Sequence, residues 1–108
     1  MTNKEIVRNF YDNVFNALDP SRLPEYVVED YIQHNANVEQ GRQGLKNFIE
    51  KLTPLKPYHD ILLMLEDGDL VAVYSKVCHN DGAAAMIGDF YRLENGMIVE
   101  HWDSVQRL

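Results

Sequence analysis

The sequence predicts an α+β domain in which helices come first and a curved antiparallel sheet follows. Three observations carry this reading. Apolar residues in the first half recur at steps of three and four, the period of a helix. From Tyr58 onward they fall into extended runs instead. Those runs are separated by Asp67-Gly68, Asp81-Gly82 and Asn95-Gly96, dipeptides suited to tight hairpins.

The first helix is signalled most strongly. Thr2 and Glu5 have capping-box spacing, and Ile6, Val7, Phe10, Tyr11, Val14, Phe15 and Leu18 line one stripe. Asp19-Pro20-Ser21 ends it, and Ser21 can cap a short second helix reaching Tyr26 or Val28. The segment Asp30–Asn37 has turn formers and no helical period, so it reads as extended or looped. A third helix after Gly41 presents Leu45, Phe48, Ile49 and Leu52 on one side, and Thr53-Pro-Leu-Lys-Pro57 stops it.

The remainder reads as four antiparallel strands in a meander. If each dipeptide is a two-residue loop, Glu66 pairs with Asp69, Asn80 with Ala83, and Glu94 with Met97. That register aligns Ile61, Tyr74, Asp89 and Trp102 in one row, with Tyr91 and Ile87 on the same face. It sends Val73, Phe90, Arg92, His101 and Asp103 to the other face. A single β-bulge would exchange the faces beyond it.

Length and charge narrow the function classes. A chain of 108 residues is one domain, spanning 1–108. Ten basic against 17 acidic residues, with no basic cluster, argues against a nucleic-acid partner. No apolar run approaches the roughly 18 residues of a membrane span. The lone Cys78 excludes an internal disulfide, and the N-terminus lacks a signal-peptide pattern, so the expected compartment is cytoplasmic.

Asp89, set in the middle of a strand, is the residue that asks for an explanation. Either it is a satisfied structural group, bonded to Tyr74 or to the indole of Trp102, or it transfers protons at the bottom of an apolar pocket. A carboxylate taken out of water titrates closer to neutrality, where acid–base chemistry needs it.

The segments Tyr31-Ile-Gln-His-Asn35, Gly41-Arg-Gln-Gly44, Gly68-Asp-Leu-Val-Ala-Val-Tyr74 and Gly88-Asp-Phe-Tyr-Arg-Leu-Glu-Asn-Gly-Met-Ile-Val-Glu-His-Trp-Asp103 resemble the polyketide-cyclase-like (SnoaL-like) branch of the nuclear transport factor 2-like superfamily. The resemblance implies a cone-shaped fold of three helices over a bent sheet with a cavity inside, and homodimers formed through the sheet backs. It also implies cofactor-free acid–base chemistry, with Asp89 matching the acid/base of the cyclases. Isomerases, dehydratases and epoxide hydrolases belong to neighbouring branches. Many close relatives have His where this chain has Tyr74, which makes that position a hydrogen-bond donor instead of a second base.

The expected function is therefore a cofactor-free pocket protein acting by acid–base catalysis on a small, largely apolar carbonyl compound, as a cyclase, isomerase or dehydratase. Asp89 is the expected proton-transfer group, Tyr74 the polarising donor and His34 an auxiliary at the cavity mouth. Trp102, Tyr91, Asn35 and Ile87 are the expected substrate contacts. The rival is a non-catalytic ligand-binding or dimeric interaction domain, and catalysis requires a cavity of at least about 300 Å³ bordered by Asp89. Epoxide hydrolysis needs two aspartates bridged by an arginine, and this register separates Asp89 from Arg92 and Asp103. No metal is expected, because His101 and Asp103 alone supply ligands on their face.

Overall fold

Side-chain burial along the first stripe decides where the helices lie. In the computed structural model, which describes residues 1–108, α1 runs Asn3–Phe10. Its capping box is complete: the Glu5 N–H donates to the Thr2 hydroxyl at 3.1 Å and the Thr2 N–H to the Glu5 carboxylate at 3.3 Å. The helix then loosens into a π-helical turn, Tyr11–Phe15, where the Asn16 N–H reaches five residues back to the Tyr11 carbonyl at 2.8 Å. Val7, Phe10, Tyr11 and Val14 are buried along this stripe, and each such side chain contributes about 1.5–3 kcal/mol by leaving water. A 3-10 helix, Pro20–Glu25, is the short second helix, opened by the Asp19 carboxylate in place of Ser21. The third, α2, spans Gly41–Leu52 and buries Leu45 and Ile49.

Five strands form one sheet: β1 Val27–Gln33, β2 Tyr58–Asp67, β3 Leu70–Cys78, β4 Ala84–Glu94 and β5 Met97–Arg107, in the order β1-β5-β4-β3-β2. The helices cover one face, here called inner, and Val27, Tyr31, Val71, Val73, Tyr91, Leu93 and Ile98 pack into the same core as the helical stripe. This is the α+β architecture expected, with one strand more. The additional strand, β1, falls in the stretch read as the end of a helix followed by an extended or looped segment, and it pairs parallel to β5. A parallel edge leaves no hairpin signal in the sequence.

The expected register holds at the last hairpin turn and is corrected at the other two and beyond a bulge in β5. Asn95-Gly96 forms the two-residue turn foreseen, both residues with positive φ (50° and 77°). Between β2 and β3 the turning residues are Gly68 and Asp69, since Asp67 pairs with Leu70. Between β3 and β4 the loop is five residues, His79–Ala83, closed by the His79 N–H on the Ala83 carbonyl (2.9 Å) and by the Ala83 N–H on the Asp81 carboxylate (2.9 Å). A bulge in β5, with Val99 as the extra residue, shifts pairing once more, so that Leu93 faces Ile98 but Arg92 faces Glu100. Asp89 therefore lies opposite Val73 and Asp103, not Tyr74 and Trp102.

Candidate active site

Two consequences of that register build the site. Odd-numbered residues of β3 and β4 point inward, and the β5 bulge turns His101 and Asp103 inward beside Asp89. Asp89 is 6% exposed. One of its oxygens accepts a hydrogen bond from the Tyr11 hydroxyl at 2.7 Å, and the other meets His101 Nε2 at 2.8 Å. The π-helical turn brings Tyr11 in from the helical layer, and its hydroxyl is also 2.8 Å from that of Tyr91 on β4. Burial pushes both phenols well above the usual tyrosine range, Tyr91 and Asp89 adding to the effect at Tyr11, so both remain donors at neutral pH.

Proton positions follow from the next partner out. Gln33 Oε1 receives the Asn35 backbone N–H at 3.0 Å, which identifies it as the acceptor end of that amide. The same oxygen lies 2.8 Å from His101 Nδ1, so that nitrogen carries a proton. The opposite nitrogen, Nε2, then faces a carboxylate oxygen, and one proton is shared between them. Asp89 and His101 thus form a pair, neutral overall, able to release a proton from the imidazole or take one onto the carboxylate. Gln33 sits on β1 directly beside His101, and its amide group donates on to the Tyr31 hydroxyl.

The pair borders a cavity of about 150 Å³ between sheet and helices. Its apolar walls include Phe15, Leu45, Ile49 and Ile87, and Asn35, His59 and Asp103 supply further polar lining. Asn35 donates to both oxygens of Asp103 at 3.0 Å. The volume is half of the roughly 300 Å³ expected to be required for catalysis. A larger groove, about 470 Å³, lies on the outer face against Leu65, Leu70, Ala72, Phe90 and Trp102. It contains a single carboxylate, Asp67, and none of the groups just described; the smaller cavity is the one that the Asp89–His101 pair borders.

The sequence-predicted residues divide between the two faces. Asp89, Tyr91, Asn35 and Ile87 all line the inner cavity. Tyr74, at 42% exposure, lies on the outer face, because the five-residue loop moves β3 by one position against β4. Trp102 is outside as well, stacked on His34 with ring centroids 4.9 Å apart and planes at 2°. His34 Nε2 is 2.7 Å from Glu100, which also accepts from Arg92 at 2.8 Å. These two partners, His34 first, hold the Glu100 carboxyl below the usual range. Asp103 does join Asp89, but Arg92 remains outside on Glu94 and Glu100, so no arginine bridges the two aspartates.

Tyr11, Gln33 and His59 are not among the site residues expected from the sequence, and His101 and Asp103, expected on the face opposite Asp89, lie beside it. Tyr11 looked like any aromatic of a core stripe; its hydroxyl was the available hint, since a buried phenol needs a partner. Donor atoms of Asp89, His101 and Asp103 lie within 4.8 Å of one another, a spacing a divalent cation could bridge in place of the shared proton. The ground for expecting no metal, two ligands on one face, is thereby removed.

Comparison with known proteins agrees with this architecture. The SnoaL-like domain family matches residues 7–101. A SnoaL-like polyketide cyclase of Agrobacterium tumefaciens superposes with a TM-score of 0.84 at 14% identity, covering 98% of this chain and 92% of that one. IdmH of Streptomyces antibioticus gives 0.84 at 19% identity, over 98% and 93%. An NTF2-like protein of unknown function from Mesorhizobium loti gives 0.80 at 26%, over 96% and 90%. No curated protein matches the chain.

Proposed function

The chain belongs to the SnoaL-like domain family, and we propose that it is an acid–base enzyme acting on a small carbonyl compound without a cofactor, with Asp89 and His101 as the proton-transfer pair. The observation that carries this is the 2.8 Å contact between Asp89 and His101, one proton shared, at the wall of a largely apolar cavity. A substrate C–H next to a carbonyl gives its proton to the Asp89 carboxylate. The pair then holds two protons and one positive charge, which balances the negative charge left on the substrate oxygen. Returning the proton to another carbon completes an isomerisation; attack of the enolate carbon on a second carbonyl, with protonation of the new alkoxide, completes a cyclisation. Tyr11 holds the second carboxylate oxygen, fixing the first toward His101. We assign substrate contact to Tyr91, Asn35 and Ile87, which line the cavity, and not to Tyr74, Trp102 and His34, which do not.

The test needs no knowledge of the natural substrate. Protein in D2O should accelerate α-deuteration of cyclohexanone, followed by proton NMR, and Asp89→Asn should slow it by about a hundredfold or more. Equal rates for the two proteins overturn the role given to Asp89.

A second reading, non-catalytic ligand binding, is favoured by the 150 Å³ volume and by the partners that both Asp89 oxygens already have. It predicts exchange no faster than buffer in either protein. We also propose a homodimer through the outer sheet face, where Leu65 (69% exposed), Phe90 (47%) and Tyr74 present apolar surface to solvent.

A further inference from the structure

His59 lines the same cavity from β2, and the chemistry above leaves it unused. Its backbone is clamped at both ends by one side chain: the His59 N–H donates to Asn16 Oδ1 at 2.7 Å, and its carbonyl accepts from Asn16 Nδ2 at 3.0 Å. The ring stacks on Phe15 (4.9 Å, 27°) and meets the edge of Tyr11 (5.5 Å, 69°). The imidazole is thus held in place although neither ring nitrogen bonds to the protein. Nδ1 is fully buried with no partner, which leaves Nε2 as the nitrogen facing the open cavity. A buried N–H without an acceptor is costlier than a bare lone pair, so the proton belongs on Nε2. Burial lowers the His59 pKa to about 4, and the ring is neutral at pH 7. A neutral, immobilised donor therefore points at whatever occupies the cavity.

Charge and size restrict that occupant. No lysine or arginine lines the cavity. Arg42 is engaged by the Val27 carbonyl, and Arg92 is on the outer face. Asp89 is balanced by His101, but Asp103 has only the neutral amide of Asn35. An anionic ligand would meet that uncompensated carboxylate at low dielectric, where like charges repel strongly. A cavity of about 150 Å³ has the volume of the engineered cavity that accepts benzene, so it encloses one six-membered ring.

Resting on the acid–base reading, we propose that the cavity selects neutral carbonyl compounds of single-ring size, holds the carbonyl oxygen on His59 Nε2–H, and rejects carboxylates at Asp103. His59 then stabilises the oxygen on which negative charge develops while Asp89 takes the proton.

NMR titration of the intact protein with cyclohexanone, benzene and benzoate tests this. Cyclohexanone should bind at least about tenfold tighter than benzoate. His59→Phe, which keeps a ring against Phe15, should weaken cyclohexanone about fivefold, the worth of one hydrogen bond, and leave benzene within about twofold. Nitrogen-15 spectra of the unmodified protein should show the Nε2–H tautomer of His59. Benzoate binding as well as cyclohexanone, an Nδ1–H tautomer, equal loss of benzene and cyclohexanone in the variant, or no binding of cyclohexanone would each overturn the proposal. These readouts report binding and protonation. Ketone binding through His59 with no α-exchange would refute the enzyme and spare the site; exchange that proceeds with His59 uninvolved would do the reverse.

Discussion

Gln33 shows how much rests on a single polar side chain. Its carbonyl oxygen takes both the Nδ1–H of His101 and the backbone N–H of Asn35, and so decides which ring nitrogen faces Asp89. Gln33→Leu keeps the bulk and leaves one buried and one half-buried donor unpaired, which should cost about 2 kcal/mol in urea unfolding. The same variant should move the His101 tautomer equilibrium, read from its ring nitrogen shifts; an unchanged tautomer would mean that another group orients the ring. Nothing in the order of residues singles out Gln33, because a strand glutamine is ordinarily solvated. Asp89 was legible for the opposite reason, as a carboxylate inside an apolar run.

At the level of elements, what could be read depended on whether a signal was local. The capping box of α1 and the Asn95-Gly96 turn involve residues within four positions of each other, and both formed as expected. The β3–β4 loop and the Val99 bulge depend on how the sheet bends under the helices, and together they moved Tyr74 and Trp102 out while bringing His101 and Asp103 in. Gly44 marks another close approach invisible in the chain order. A Cβ there would lie 2.1 Å from the Glu39 carbonyl oxygen, so α2 packs on the Asn35–Gln40 loop only because that position has no side chain. Gly44→Ala should lower stability by about 2–3 kcal/mol in urea denaturation, as overpacking does. Because that loop contains Asn35, the Asn35–Asp103 contact should loosen with it.

For the whole molecule, burial of a neutral histidine couples folding to acidity. The His59 pKa falls from its ordinary 6.5 to about 4, desolvation first, with Asp89 pulling it up and His79 pushing it down. The unfolded chain therefore takes up this proton before the folded one. The contribution is fully present above about pH 6.5 and is lost as pH falls toward 4, reaching on the order of 3 kcal/mol. Denaturation curves between pH 7 and 4 should show the decline, and His59→Phe should flatten it by about that amount. The outer face governs assembly. Phe90→Glu places a charge at the centre of the proposed contact and should convert a dimer to monomer in analytical ultracentrifugation; an unchanged mass would remove this face from consideration.

The sequence by itself determined the α+β class, the turn at Asn95-Gly96, the family, and the face that Asp89 shares with Tyr91 and Ile87. These depend on periodicity and on residue types that leave a local trace. The tertiary structure alone decided which groups meet Asp89. Strand side chains alternate faces with a period of two, so one extra residue in a loop or bulge transfers every later side chain to the other side of the sheet, and only the packing of helices against that sheet determines where the extra residue goes.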